Sequence, residues 1–363
     1  MHATAPAPAP ALARRQLLAA ALAASLWPGQ ACAATPANLR WPRDLGSHPD
    51  FAIEWWYLTG RLLSGQREFG FQLTFFRSRV SATQGMTSAF AAKQLIFAHA
   101  AVTDVTGSKF WYDQRIAREG FGLAHSKPLD TDVKLRDWSL QHQVAHYQAK
   151  AVSENFQLDL KLIESQPLLL QGDSGHSRKG PQEAQFSTYY SLPQLQVNGT
   201  LGLSKERLPV QGTAWLDHEW SNSLLDAQTV GWDWVGVNLQ DGSALTAFQL
   251  RDKTAKAVWD GGSFRAGGSG AKTQVFRQGE VVFQPLRHWR SPRTLASYPV
   301  EWALQTPAGR YRLKALLDEQ ELDSRLSTGA VYWEGLCALH GSSGQLLGHG
   351  YLEMTGYVRA LRL

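Results

Sequence analysis

Cysteine is almost absent from this 363-residue chain, which has only Cys32 and Cys337. Cleavage after Ala33 would leave Cys337 alone. A single cysteine cannot form an internal disulfide, so the fold must be held by core burial. Charge is also sparse, at 18% of residues. No basic stripe interleaves with exposed aromatics, which argues against a nucleic-acid module. The net charge of +5 belongs partly to the N-terminus. Without Arg14 and Arg15 the 36 basic side chains become 34 against 31 acids, a net of +3. Beyond the first 33 residues no apolar run approaches the length of a membrane-spanning helix, so the mature chain is not expected to be an integral membrane protein. No strong amphipathic helix exceeds about three turns; Lys314 to Arg325 is the best short candidate. A Gly-x-Ser-x-Gly elbow is also missing, although Ser221 and Ser223 stand beside an acid–histidine motif, so hydrolysis by a serine triad is disfavoured.

Aromatics are abundant, with 14 Trp, 15 Phe and 10 Tyr, together with 32 Gly. That mixture predicts β-rich architecture with many turns and an aromatic interior. Phe69, Phe71, Leu73 and Phe75 alternate along one strand candidate, as do Phe156, Leu158, Leu160 and Leu162 along another. Leu195 to Leu201 is similar. Leu95 to Val102 reads as a strand buried on both faces, with His99 a satisfied core histidine. Short strands separated by turns predict antiparallel sheets closing into sandwiches or barrels. Two polar, glycine-bearing segments, Gln171 to Gln185 and Gly261 to Lys272, read as surface loops, with a lid as a further use.

Residues 1–33 read as an export signal. Arg14-Arg15 precede an Ala/Leu-rich run from Leu17 to Leu26, and Ala31-Cys32-Ala33 supplies small residues for cleavage. Twin-arginine and Sec export both fit, and either places the protein in the periplasm or outside the cell. Lipid anchoring at Cys32 fits less well, because Gly29-Gln30-Ala31 lacks the usual leucine.

The densest motif is Trp215-Leu216-Asp217-His218-Glu219-Trp220, followed by Gly231-Trp232-Asp233-Trp234. Acids beside indoles lose hydration, which raises their pKa and suits proton transfer on an apolar molecule. A ligand-free core, with acids paired to arginine and tryptophans filling space, is the plainer alternative. A weak repeat frames the motif. Glu54-Trp55-Trp56-Tyr57 leads through a turn to Phe75-Phe76-Arg77, and Gly231-Trp232-Asp233-Trp234 leads to Phe248-Gln249-Leu250-Arg251. Tyr332-Trp333-Glu334-Gly335 with Gly350-Tyr351-Leu352-Glu353 makes a looser third copy. Such hairpins can bring acid and arginine together, so Arg77 and Arg251 are candidate ion-pair partners, with Glu219 also structural; carboxylate recognition is the second use of the arginines. His48 is expected to cap a turn with Asp50, with reach into a cleft as its second use. Two related β domains follow, residues 34–221 and 222–363.

These residues resemble the carotenoid 1,2-hydratase/AttH family of predicted secreted hydrolases. The matching pieces run from about Trp41 to Tyr357. They include His48-Pro49-Asp50 with Glu54-Trp55-Trp56-Tyr57, Ala98-His99-Ala100, Asp217-His218-Glu219-Trp220, and the Tyr332 and Gly350 segments through Tyr357. The resemblance implies two tandem lipocalin-like antiparallel β-barrel or sandwich domains. It also implies water addition to isolated double bonds of isoprenoid or prenylated molecules, or, for AttH-like members, association with a membrane transporter. In the hydratase branch the His-x-Trp element corresponds to His218 and Trp220. Past it this chain departs: Trp232-Asp233-Trp234 stands near where a catalytic Tyr and Asp belong, without matching them, which counts against carotenoid specificity.

Hydrating an unactivated alkene needs a strong proton donor, a stabilised cation and a positioned water. It requires neither metal nor redox cofactor. Asp217-His218-Glu219 is a poor metal site, because adjacent strand residues point to opposite faces. The expected proton donor is Asp233 or Asp217. His218 would orient water or relay the proton, and Trp220 and Trp232 would flank the cation. Glu54, Trp55, Trp56 and Trp234 would complete the pocket for a small lipophilic substrate. The rival function is a non-catalytic lipid or isoprenoid carrier of the cell envelope, working beside an ABC-type transporter. An enzyme needs an unspent acid on the cavity wall, whereas a carrier can have every acid tied to arginine.

Overall fold

The computed structural model describes residues 38–361, apart from 224, 226 and 227. The export segment, with Arg14, Arg15 and Cys32, lies outside the described residues. The described part is almost wholly β, with twenty-three strands in two antiparallel sheets and no α-helix among the described residues. No described helix is long and apolar enough to cross a membrane. The arrangement is a lipocalin-like, two-sheet all-β fold.

The thirteen strands between Ile53 and Ser223 form one sheet, and the ten from Gly231 to Met354 form the other. The first sheet curls until Gln94–Asp104 approaches the short strands Ala124–Ser126 and Asp132–Leu135, nearly closing a barrel. The two sheets belong to one compact unit. Each sheet has a tryptophan–acid strand near its centre. Ile53–Ser64 pairs with Arg67–Arg79 on one side and Glu206–Ser223 on the other. Gly231–Leu239 pairs with Ala244–Arg251 and Leu346–Met354. Central strands lose water on both faces, which is why these segments read as nearly continuous apolar runs.

Period-two alternation then divides these central strands between two cores. Trp56, Leu58, Leu216 and Trp220 point into the first sheet's interior, with Phe69, Phe71 and Phe75. Tyr57 and Trp215 point the other way and pack against Trp234, Phe248, Leu336 and Tyr351 of the second sheet. Each such aromatic contributes about 1.5–3 kcal/mol on full burial, so the contact between the sheets is a core in its own right. Phe156–Ile163 alternates buried and exposed along its whole length.

Three segments differ from the sequence reading. Lys314 to Arg325 is not helical: it covers the end of the strand Gly309–Ala315, a turn and the strand Glu321–Ser324. Leu313 and Ala315 face the core with period two, and the fully buried Glu321 accepts from Ser291 Oγ at 2.8 Å and Thr294 Oγ1 at 2.6 Å. A helix could not place those groups so. Gly261 to Arg265 belongs to the strand Ala257–Arg265. Within Gln171 to Gln185 the residues Gln171, His176, Ser177, Lys179 and Gln185 are buried, so this segment is packed, not superficial.

Candidate functional site

A cavity of about 280 Å³ lies between the sheets. Its wall is mainly aromatic, with Trp55, Phe76 and Phe97 from the first sheet and Trp232, Trp234 and Phe248 from the second. Five acids reach it: Glu54 from Ile53–Ser64, Asp217 and Glu219 from Glu206–Ser223, Glu334 from Ala330–His340, and Glu353 from Leu346–Met354.

Each acid has a different environment. Burial pushes Asp217 up to about 7, against the hydrogen bonds that Ser191 Oγ (2.5 Å) and Trp215 Nε1 (2.7 Å) both donate to Oδ1. Glu219 is paired with Lys179 Nζ at 3.0 Å and accepts from Ser187 Oγ. The Lys179 ammonium also sits 4.4 Å from the centre of the Phe248 ring, a desolvated cation–π contact. Glu334 and Glu353 are register partners on neighbouring strands, and side chains directly opposite stand about 4.5–5.5 Å apart at Cβ. No arginine or lysine is bonded to either among the described residues. Burial, then the charge of Glu353, holds Glu334 well above the carboxylate range, and burial pushes Glu353 up to about 7. Two carboxyls placed so cannot both ionise at neutral pH.

Tyr332 and His99 complete the wall near Glu334. Tyr332 Oη and His99 Nδ1 are 2.7 Å apart, and His99 Nε2 is 2.8 Å from Ser327 Oγ. Burial lowers His99 to about 3, so the ring is neutral.

A sequence model of the AttH-like family matches residues 32–357. The chain belongs to that family. A candidate AttH protein of Nitrosomonas europaea, known from its crystal structure, is 46% identical, with a TM-score of 0.82 over 89% of this chain and 99% of that one. Kievitone hydratase from Nectria haematococca shares the fold at 14% identity, with a TM-score of 0.68 over 88% of this chain and 93% of that one. Among curated proteins none matches.

Within this AttH-like chain the sequence-nominated residues separate by strand face. Asp217, Glu219, Trp55, Trp232 and Trp234 line the cavity; His218, Trp220, Trp56 and Asp233 do not. His218 is buried in the first sheet's interior, stacked on Trp56 with ring centres 4.6 Å apart. Its Nε2 is 2.9 Å from Glu54 Oε1 and its Nδ1 is 2.9 Å from Tyr190 Oη. Burial lowers His218 to about 4, so a neutral ring donates to Glu54 and accepts from Tyr190. Trp220 stacks on His48 at 3.6 Å. His48 does not cap Asp50: its ring bridges Glu54 Oε1 at 2.8 Å and Asp44 Oδ1 at 3.1 Å. Glu54 touches the cavity wall, yet its charge is spent elsewhere. Arg77 Nε lies 2.8 Å from Oε2. Burial alone would raise Glu54, but the bonds from His218 and His48 hold it below the carboxylate range. His48, Glu54 and His218 bring ligand atoms within 4.8 Å of one another, the one metal-type grouping among the described residues. Arg77 already occupies the carboxylate, so the donor set is that of a hydrogen-bond chain.

Asp233 is likewise enclosed. Arg251 Nε is 2.7 Å from Oδ2, and Gln249 Nε2 and Tyr357 Oη donate at 2.8 Å each. Burial still raises its carboxyl, but it does not line this cavity. The sequence places Glu334 and Glu353 in the third copy of the repeat, with no role assigned to them. Their signal was available: the third copy ends in Glu353-Met354, where the other two end in Arg77 and Arg251.

Proposed function

We propose that this protein is a cofactor-independent hydratase that adds water across a carbon–carbon double bond of a lipophilic substrate. The observation that carries the reading is the opposed Glu334–Glu353 pair, free of any basic partner, on the wall of an indole-lined cavity. Where environments push acids apart in pKa, acid and base roles follow. Glu334, the more strongly raised, is the proton donor in place of Asp233. Its O–H proton goes to one alkene carbon, and the π-electron pair forms the new C–H bond. The cation left behind lies against the faces of Trp232 and Trp234, each contributing on the order of 1–2 kcal/mol when desolvated. Water closes on the cation through an oxygen lone pair, and one of its protons passes to Asp217. Exchange with solvent then returns a proton to Glu334 and removes one from Asp217, so the net change is one added water. The shared fold of kievitone hydratase fits the reaction class.

The test is incubation of the purified protein with a panel of isoprenoid and prenylated alkenes in ¹⁸O-labelled water, read by mass spectrometry. Glu334→Gln should lower turnover at least 100-fold while the substrate still binds. Full activity in that variant would remove Glu334 from the acid role. Binding of a lipophile without labelled product under any condition would favour the envelope carrier. Export through the Arg14-Arg15 leader would place the reaction in the periplasm or outside the cell, where a membrane transporter could exchange substrate with it.

A further inference from the structure

Glu334 has neighbours whose own hydrogen bonds limit what it can do. Gln114 Nε2 is 2.6 Å from the Asp323 carbonyl oxygen, which only accepts. The amide is therefore oriented with Oε1 toward Ser327 Oγ, 2.7 Å away. A second acceptor, the Ser324 carbonyl oxygen, lies 3.2 Å from the same hydroxyl. The single Ser327 proton is thus committed to one of two acceptors, and Ser327 Oγ must receive the contact at 2.8 Å from His99 Nε2. His99 Nε2 then carries the ring proton, and Nδ1 is bare. Tyr332 Oη, 2.7 Å from Nδ1, must donate there. Tyr332 then has only lone pairs left to offer Glu334, two residues along the same strand and on the same cavity wall.

We infer that Gln114, Ser327, His99 and Tyr332 form a one-directional hydrogen-bond chain that holds Glu334 as the neutral acid. An ionised Glu334 would meet Tyr332 lone pair to lone pair. The other tyrosine at this carboxyl fits the same account. Among the described residues, Tyr57 Oη and Glu334 Oε1 have no hydrogen-bond partner. A neutral carboxyl offers one donor and one acceptor, matching Tyr332, which can only accept, and Tyr57, whose proton is uncommitted. The charged or titratable groups facing Glu334 are Glu353 on the adjacent strand, Tyr57 from the first sheet, and Tyr332 and Tyr351. None supplies a positive charge. Gln114 and His99 come from the first sheet and the rest from the second, so the acid form depends on their docking.

The inference deepens the hydratase reading but has a test that needs no turnover. In the wild-type protein, ¹⁵N-labelled His99 should show a protonated Nε2 and an unprotonated Nδ1 at neutral pH. Difference infrared spectroscopy should show a protonated carboxyl that disappears in Glu334→Gln. The opposite His99 tautomer, or an ionised Glu334 at neutral pH, would overturn the chain. Ser327→Ala frees His99 Nε2, lets the ring carry its proton on Nδ1, and lets Tyr332 turn to donate to the carboxylate. Its carboxyl band should vanish about one pH unit lower than in the wild type. If the enzyme turns over, the alkaline limb of kcat should move with it while KM stays unchanged. An unmoved band would also overturn the assignment. Absence of hydratase activity with the tautomer and band as expected would sink the function and leave the chain standing.

Discussion

Two buried carboxylates of similar sequence context, Glu54 and Asp217, are driven in opposite directions. Glu54 receives Arg77, His48 and His218 and stays charged. Asp217 receives only neutral donors, and burial wins. The consequence for stability has a definite sign. From the ordinary aspartate range up to about 7, native Asp217 keeps a proton that the unfolded chain releases. Stability therefore falls as pH rises through that window and levels off above it. Asp217→Asn removes this penalty while its side-chain oxygen still accepts from Ser191 and Trp215. The variant should match the wild type near pH 4 in urea unfolding and exceed it by about 2–4 kcal/mol at pH 8. A difference independent of pH would show that Asp217 is not held up by burial.

At the scale of the hairpin, the same unit has two outcomes. In the first two copies the acid meets an arginine and closes a structural ion pair. In the third, Glu334 meets Glu353, and no arginine closes the pair among the described residues. Gly335 after it has a separate task. A Cβ there would stand 2.0 Å from Gln320 Nε2 and 2.5 Å from its Oε1. That amide accepts from Thr103 Oγ1 of the first sheet at 2.7 Å and donates to the Leu317 carbonyl at 2.7 Å. Gly335→Ala should displace it, cost about 1–3 kcal/mol through unpaired buried groups, and loosen the sheets at Glu334. Thermal unfolding and lipophile binding would both register this; an unchanged melting temperature would mean Gln320 can move without cost.

The strands were legible because alternation such as Phe156 to Leu162 directly reports one buried face. Acid–arginine hairpins were legible because their ends differ in sign. The faces were harder. Asp217 and His218 are neighbours in sequence but open on different cores, a divide that their adjacency conceals. Which core has the cavity depends on how the two sheets meet, a property of residues as distant as His99 and Tyr332. Lys179, contributed by a segment that reads as a loop, was hidden for the same reason.

At the scale of the molecule, neither sheet owns the site. Tyr57 and Trp215 pack against Trp234, Phe248, Leu336 and Tyr351 across the junction, while each sheet keeps a separate interior. The division proposed here, residues 34–221 and 222–363, can be tested by expressing the two parts apart. Each should retain β structure through its own interior, and each should bind hydrophobic dyes on its uncovered aromatic face. Neither should take up a lipophile with the affinity of the intact chain, because each holds only part of the acids and indoles around the cavity. In the intact chain a ligand at 100 times its Kd should add about 2.7 kcal/mol to a single cooperative unfolding transition. One part binding the lipophile as tightly as the whole would place the site within a single sheet, and the Glu334 chain through His99 could not then set its chemistry.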